Sequence, residues 1–355
     1  MPGKLLFVLW LVLAPAIGLA QGFAGLGTDA DGYRQVSPDR VLSFPADHGP
    51  HPGYRIEWWY LTANLKGEDG RDFGVQYTLF RQAGAPPPER DGWANQQFWL
   101  GHIALTSADR HLYDERLARG GTGQAGASAE PFEAWIDAWR LGTTGAGAAS
   151  ALGFGQLRLQ AAGSDFAYDL TLTTAAPPVL QGKGGYSVKS DRGQASYYYS
   201  QPYFQAEGSI EIAGRTISVS GRAWMDREWS SQPLAEDQSG WDWFSLHLDD
   251  TTKLMLFRLR HDDGQDFLSG NWIDANGSTP ISGDDISLEI LEETDLPGRT
   301  VPTSWRVRVR SRGVDVSVTP LNAAAWNGTQ IGYWEGPVFG QGTHDAVGYL
   351  EMTGY

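Results

Sequence analysis

Apolar and polar residues alternate with a period of two through most of this chain of 355 residues, and Gly, Asp-Gly and Asn-Gly turns separate the runs. This alternation is typical of half-buried β-strands. Strands are predicted at residues 56–65, 73–82, 166–173, 209–212, 216–221, 253–260, 286–291, 305–309, 314–318 and 347–352. Hairpin loops are predicted at residues 66–70, 213–215 and 274–277. The chain is therefore predicted to be all-β, with antiparallel sandwiches or barrels.

A helical stripe occurs in one segment, residues 132–141, where the apolar positions are Phe132, Trp135, Ile136 and Trp139. The predicted strands are too many for one small closed barrel, so two β-domains are expected. The expected divisions are a signal peptide at residues 1–20, an extension at 21–42, a first domain at 43–200 and a second at 201–355. Residues 182–200, with a Gly-rich stretch and three consecutive tyrosines, are predicted to cross between the two domains.

The first twenty residues are typical of a secretory signal peptide. Lys4 is followed by an apolar run at residues 5–14, and Gly18 and Ala20 place small residues before a cleavage site. The apolar run is too short to span a bilayer, and no other stretch is long enough. The mature protein is predicted to be periplasmic or secreted, without an integral membrane span.

Composition excludes several classes of function. The chain has no cysteine, which excludes disulfides, thiol catalysis and thiolate-bound metals. Its formal net charge of −15 argues against nucleic acid and anionic membrane surfaces as partners. Without disulfides, the fold must be held by hydrophobic packing, and the chain is long enough for that.

Common catalytic motifs are absent or lack the required context. The chain contains no Gly-x-Ser-x-Gly, no His-Glu-x-x-His and no phosphate-binding loop. Residues 121–126 match Gly-x-Gly-x-x-Gly, but no β-α-β unit surrounds them. Asp47, His48 and His51 could bind a metal, or the histidines could pack against the following strand. No metal and no cofactor are predicted.

Tryptophans and carboxylates cluster in four strand-like runs. These runs are 57–60 (Glu-Trp-Trp-Tyr), 224–229 (Trp-Met-Asp-Arg-Glu-Trp), 241–243 (Trp-Asp-Trp) and 333–335 (Tyr-Trp-Glu). Large rings beside a few polar groups are the usual lining of a small-molecule pocket. A carboxyl group in such a dry place has a raised pKa and can hold a proton near neutral pH.

Side chains alternate across a strand, so each run has two faces. Trp224, Asp226 and Glu228 share one face, and Met225, Arg227 and Trp229 share the other. Trp241, Trp243 and His247 share a face opposite Asp242, while Glu57 shares a face with Trp59. An acid beside an aromatic wall suits protonation of a carbon–carbon double bond followed by capture of water, or isomerisation. The alternative is that Arg227 pairs with Asp226 or Glu228 and the tryptophans form the core.

These strings together resemble the AttH-like, lipocalin-like family related to carotenoid 1,2-hydratases. The resemblance extends from Phe44 to Tyr355 through residues 44–49, 57–60, 224–232, 240–244, 333–336 and 348–355. It implies two packed lipocalin-like β-barrels. It also implies relatives that hydrate acyclic carotenoids without a cofactor, exported relatives of uncertain role, and fungal enzymes acting on lipophilic metabolites. The hydratases have a histidine where this chain has Arg227, so the chain is more similar to the exported branch.

The leading hypothesis is an exported protein that binds a hydrophobic, unsaturated or isoprenoid small molecule in an aromatic pocket, for which the domain interface is one location. Hydration or isomerisation is its candidate reaction, a non-catalytic carrier the alternative, and a secreted hydrolase the further alternative. The candidate catalytic residues are Asp226, Glu228, Asp242 and Glu57. Asp226 is the expected proton donor with Glu228 or Asp242 as its partner, and Arg227 is expected to orient Asp226 or an acidic group of the substrate. The candidate ligand-binding residues are Trp58, Trp59, Arg227, Trp229, Trp241, Trp243, His247, Trp334 and Glu335.

Overall fold

The computed structural model describes residues 30–144 and 153–355, so the predicted signal peptide and its cleavage site lie outside the described residues. The described chain is nearly all-β, which confirms the predicted fold class. Its strands form two antiparallel sheets, one a nearly closed barrel and the other a half-barrel.

The first sheet contains thirteen strands. They are β1 (Ile56–Gly67), β2 (Asp72–Ala83), β3 (Gln97–Ser107), β4 (His111–Arg119), β5 (Ala125–Ala129), β6 (Phe132–Ile136), β7 (Trp139–Thr143), β8 (Gln156–Ala162), β9 (Phe166–Thr173), β10 (Val179–Leu180), β11 (Tyr186–Val188), β12 (Ala195–Ile212) and β13 (Arg215–Ser230). Their order is β4-β3-β2-β1-β13-β12-β9-β8-β7-β6-β5, and β10 and β11 pair with β12. The pairing of β1 with β13 brings together two of the four aromatic runs.

The second sheet contains ten strands. They are β14 (Gln238–His247), β15 (Lys253–His261), β16 (Phe267–Asp274), β17 (Gly277–Ser282), β18 (Ile286–Leu296), β19 (Arg299–Val309), β20 (Val314–Pro320), β21 (Trp326–Asn327), β22 (Tyr333–Gly342) and β23 (Ala346–Thr353). Their order is β17-β16-β15-β14-β23-β22-β20-β19-β18, and β21 pairs with β22. Short 3-10 helices lie at Ala46–His48, Gly92–Ala94, Gly283–Asp285 and Arg310–Arg312. Among the described residues, no helix has the length and apolar character needed to cross a bilayer.

The three predicted hairpin loops are present, between β1 and β2, β12 and β13, and β16 and β17. The loop between β12 and β13 turns at Ala213 and Gly214, whose φ angles are 54° and 70°. Two consecutive residues with positive φ are characteristic of the turn whose twist matches that of the flanking strands. Local turn chemistry therefore determines these connections.

The predicted helical stripe at residues 132–141 is wrong, because the segment forms the hairpin of β6 and β7. Burial alternates along β6, where Phe132, Ala134 and Ile136 are buried and Trp135 is not. The turn at Asp137, with a φ of 52°, then reverses the chain. The spacing of the large rings resembles a helical period. The buried positions follow a period of two, which is visible only when the small residue Ala134 is counted with Phe132 and Ile136.

The predicted division at residues 200 and 201 falls inside β12, and the chain changes sheet between Ser230 and Gln238. The Gly-rich stretch at 182–185 forms a tight turn before β11, closed by the bridge between Lys183 and Tyr186. The Gly-rich stretch therefore forms a loop within the first sheet, and the predicted crossing between domains does not occur at this point.

Three hydrophobic clusters hold these sheets. One fills the barrel and includes Trp59, Trp139 and Trp229. A second lies inside the half-barrel, and a third lies between the two sheets and includes Tyr60, Tyr198, Trp224 and Trp243. Bulky side chains occupy the barrel interior, whereas the third cluster lines the space between the two sheets.

Candidate functional site

A cavity of about 250 Å³ lies between the outer face of the barrel and the half-barrel. Strands β1, β2, β3, β4, β12 and β13 supply one wall, and β14, β15 and β23 supply the other. The rings that line it include Trp58, Tyr60, Phe80, Trp241, Trp243 and Phe257. Three carboxylic acids, Asp226, Glu228 and Glu351, face the same space. Apolar walls with a few convergent polar groups are characteristic of small-molecule sites.

The period of two explains why Asp226 and Glu228 lie in this cavity. On β13 the side chains of Trp224, Asp226 and Glu228 point outward, while Met225 and Trp229 point into the barrel. β14 obeys the same rule, since Trp241 and Trp243 face the cavity while Phe244 packs inside the half-barrel.

Asp226 is buried and surrounded by hydrogen-bond donors. Tyr198 Oη donates to its carboxylate at 2.6 Å and Trp224 Nε1 donates at 2.7 Å, and the Ser200 hydroxyl donates as well. These three bonds lower the pKa of Asp226, but burial is the larger effect and raises that pKa to about 7. The negative charge of Glu228 adds to the increase. Asp226 can therefore hold or release a proton near neutral pH.

Glu228 has a different environment, although it lies two residues away on the same face. Lys189 Nζ lies 2.9 Å from its carboxylate, and the Ser196 hydroxyl donates a hydrogen bond to it. The same ammonium lies over the ring of Phe257 at 4.3 Å. Glu228 therefore has a cationic partner inside the cavity wall. The cavity thus contains one carboxylate paired with a cation beside one that has only neutral donors.

Glu351 faces these two acids from β23. Trp241 Nε1 donates to its carboxylate at 2.5 Å, and burial raises the pKa of Glu351 to about 7. Glu335 is the residue directly opposite it on β22. Tyr60 Oη donates to Glu335 at 2.8 Å. Burial, followed by the charge of Glu351, raises the pKa of Glu335 well above its usual range.

Of the residues predicted from sequence, the structure brings Trp58, Asp226, Glu228, Trp241 and Trp243 together in the cavity. Two further candidates lie just behind its wall. Glu335 contacts Tyr60, and His247 packs edge-on against Trp224 at a centroid distance of 5.8 Å.

Glu57 does not reach the cavity, because it points into the barrel and is fully buried there. Its carboxylate accepts hydrogen bonds from Arg81 and Arg227, and His51 Nδ1 lies 3.1 Å away. Burial alone would raise the pKa of Glu57, but the two guanidinium groups and His51 hold it well below its usual range. This ion cluster is a structural element of the barrel interior.

Arg227 belongs to that cluster, and its guanidinium lies 3.8 Å over the ring of Trp59. Trp59 and Trp229 also point into the barrel core. Arg227 is therefore on the opposite face of β13 from Asp226 and does not orient it, because neighbouring residues of a strand point to opposite faces.

Asp242 and Trp334 also lie away from the cavity. Asp242 accepts hydrogen bonds from Arg258 Nε at 2.7 Å, Arg260 Nη1 at 2.6 Å and Tyr355 Oη at 2.8 Å. Trp334 is part of the half-barrel core, and its Nε1 donates to the carbonyl of Ala323 at 2.9 Å.

The predicted metal candidates are engaged in packing and hydrogen bonds. His51 bridges Asp47 and Glu57 at 3.0 and 3.1 Å, and the ring of His48 lies 4.0 Å from that of Phe154. Across residues 30–144 and 153–355, no group of three or more His, Cys, Asp or Glu is arranged to hold a metal ion.

Sequence reasoning missed Glu351, Tyr198 and Lys189 as cavity residues. Glu351 had one usable signal, since it is an acid in the otherwise apolar strand run at residues 347–352. The three consecutive tyrosines were predicted to lie in the crossing between the two domains. Tyr198 does lie between the two sheets, while Tyr197 and Tyr199 point into the barrel. Nothing in the local sequence of Lys189 indicates its position.

Fold and cavity together define a two-sheet, lipocalin-like protein with an acid-bearing aromatic pocket. The AttH-like family model matches residues 35–355, so the chain belongs to the AttH-like family. An AttH protein of known crystal structure from Nitrosomonas europaea is 32% identical, with a TM-score of 0.78 over 91% of this chain and 99% of that one.

The fold is also similar to that of kievitone hydratase from Nectria haematococca. That structure is 14% identical, with a TM-score of 0.62 over 92% of this chain and 98% of that one. At this identity the similarity shows the fold alone. No curated protein matches the chain significantly.

Proposed function

We propose that this protein binds a hydrophobic, unsaturated small molecule in the cavity between its sheets and adds water to a carbon–carbon double bond without a cofactor. The observation that carries the proposal is Asp226, a buried acid whose pKa is raised to about 7 beside an aromatic wall. A general acid is most effective when its pKa lies near the working pH.

In this reaction the protonated Asp226 gives its proton to one alkene carbon, and the π electrons form the new carbon–hydrogen bond. The positive charge left on the other carbon is stabilised by the faces of Trp58, Trp241 and Trp243. Water then forms a carbon–oxygen bond and loses a proton, which gives an alcohol. Loss of a different proton from the cation would give an isomerised alkene.

Two further arguments support this reaction. A protein of the same fold is named a hydratase, which makes hydration a natural candidate for this scaffold. The hydratase motif described above has a histidine at the position of Arg227, but here that side chain faces the barrel core. The difference at Arg227 therefore removes no group from the cavity.

The second candidate is a non-catalytic carrier of a lipophilic ligand. One observation favours it, because Tyr198, Ser200 and Trp224 all direct donors at Asp226 and could hold it as a purely structural group. Ligand binding that survives Asp226→Asn and Glu228→Gln, with no product formed, would support the carrier.

Export is part of the proposal and rests on the signal-like sequence at residues 1–20. A mature protein that begins at Gln21 in the periplasm or medium is the expected result of N-terminal sequencing. An unprocessed N-terminus in the cytoplasm would contradict it.

The binding step is tested by native mass spectrometry with organic extraction of protein purified from its own host. A polyene, isoprenoid or fatty acid bound in a one-to-one complex is expected. A ligand-free protein under gentle conditions, with no uptake of added acyclic isoprenoid alkenes, would contradict binding in this cavity.

A further inference from the structure

Buried acids in the described part of the chain differ in whether a cation lies beside them. Glu57 contacts two arginines, Asp242 contacts Arg258 and Arg260, and Glu228 contacts Lys189. Each of these side chains therefore has a cationic partner that offsets part of its loss of hydration.

Glu335 and Glu351 lack such a partner among the described ion pairs. They lie directly opposite one another on β22 and β23, and each interacts with the other's carboxyl group at hydrogen-bonding range. One neutral donor serves each of them, Tyr60 for Glu335 and Trp241 for Glu351. The second oxygen of Glu335, Oε2, is buried and has no donor among the described residues.

Two carboxylates at this range cannot both ionise in a dry site, and one shared proton resolves the conflict. A proton between the two groups also supplies the hydrogen bond that Glu335 Oε2 lacks. Burial raises the pKa of both acids, and the hydrogen bond between them raises the pKa of Glu335 and lowers that of Glu351. These opposite effects are expected when the proton resides on Glu335 and is donated to Glu351.

We propose that Glu335 and Glu351 share one proton across the β22–β23 ladder, and that this pair accepts the proton of the water that attacks the substrate. The second part rests on the proposed function. Glu351 lines the cavity and would act as the catalytic residue. Glu335 lies behind it and acts through it as a positioning residue.

The proton balance of the hydration follows from this arrangement. Asp226 transfers its proton to carbon, and the water oxygen bonds to the cationic carbon. One O–H bond of that water breaks, its electrons stay on oxygen, and the proton passes to the ionised oxygen of the pair. The pair then holds two protons and Asp226 none. The pair releases one proton to solvent and Asp226 takes one up, which restores both to their starting states.

Other titratable groups face the pair from each neighbouring strand. Tyr60 of β1, Tyr333 of β22 and Tyr349 of β23 are buried, which raises the pKa of each well above its usual value, so they stay neutral. Asp226 and Glu228 of β13 are the nearby acids. An observation restricted to glutamate side chains excludes the signals of Asp226 and the tyrosines. Assignment of the Glu228 signal then separates the remaining nearby acid from the pair.

The test is carbon NMR of the protein labelled at glutamate Cδ, titrated from about pH 4 to about pH 9 without ligand. Wild type should show the two Cδ signals titrating together in two steps, one of them near neutral pH. Glu335→Gln should leave Glu351 titrating in a single step, because the variant has one carboxylic acid where wild type has two that share a proton. Glu133→Gln, an exposed glutamate paired with Arg140, is the matched control and should change neither signal.

A two-step titration of Glu351 that persists in Glu335→Gln, or two signals that titrate independently in wild type, would overturn the shared proton. The wild-type curve decides this even where a variant fails to fold. The catalytic part is tested by Glu351→Gln on an acyclic isoprenoid alkene, where turnover about 100-fold lower is expected. Unchanged turnover would refute that part, whereas a protein that hydrates no alkene would refute the proposed function and leave the shared proton standing.

Discussion

At the residue scale, sequence identified Asp226 as the leading acid and also made Asp242 and Glu57 candidate catalytic residues. The period of two shows which side chains share a face, yet it cannot show which face meets a cavity. That choice depends on packing between distant strands. Asp242 and Glu57 face arginines inside their sheets, while Asp226 faces aromatic rings between them.

The raised pKa of Asp226 predicts a pH-dependent stability. The folded state binds a proton up to about pH 7, whereas the unfolded chain releases it near the usual aspartate value. Folded protein therefore binds more protons between these pH values, and the free energy of unfolding falls as pH rises through that window. Asp226→Asn cannot ionise, so it should lose less stability between pH 5 and pH 8 than wild type does, by roughly 2–4 kcal/mol.

Urea unfolding at the two pH values measures this difference. The exposed Asp165→Asn serves as the control and should retain the wild-type pH dependence. Equal losses of stability in wild type and Asp226→Asn would show that Asp226 is already ionised at pH 5.

At the element scale, hairpins were predictable and long-range pairings were not. The turns at residues 66–70 and 213–215 carry their own signals, so β1–β2 and β12–β13 follow from local sequence. The ladder between β1 and β13 joins residues far apart in the chain and has no local signal. That ladder places Trp58 beside Glu228, and it is what assembles the barrel wall of the cavity.

Substitutions at two adjacent residues of β1 should have different consequences, because their side chains lie on opposite faces of the strand. Glu57→Gln should leave Arg81 and Arg227 without their carboxylate in the barrel interior, at a cost of roughly 3–5 kcal/mol of unfolding free energy. Trp58→Leu should weaken ligand retention and cost less stability, because Trp58 lies in the cavity wall and is only partly buried.

Urea unfolding and native mass spectrometry on both variants separate these effects. A Glu57→Gln protein as stable as wild type, or a Trp58→Leu protein with unchanged ligand retention, would contradict the assignment of the two faces of β1.

At the scale of the whole molecule, the period of two predicted the all-β class correctly and the resemblance predicted the family correctly, while the residues that line the cavity required the structure. A lipocalin-like barrel directs attention to its interior, but Trp59, Trp139 and Trp229 fill that space here. The acid-bearing cavity lies where the two sheets meet. Both sheets supply rings and acids to the cavity, so the candidate site forms only where the two sheets pack together.

The most direct test of this account is the reaction of an acyclic isoprenoid alkene with the protein in deuterium oxide, followed by mass spectrometry of the product. Wild type should yield an alcohol with one deuterium bonded to carbon, delivered by Asp226. Asp226→Asn should lower the rate by about 100-fold or more, and Asp165→Asn should leave it unchanged. Equal rates in wild type and Asp226→Asn, or an alcohol with no deuterium on carbon, would contradict acid catalysis by Asp226.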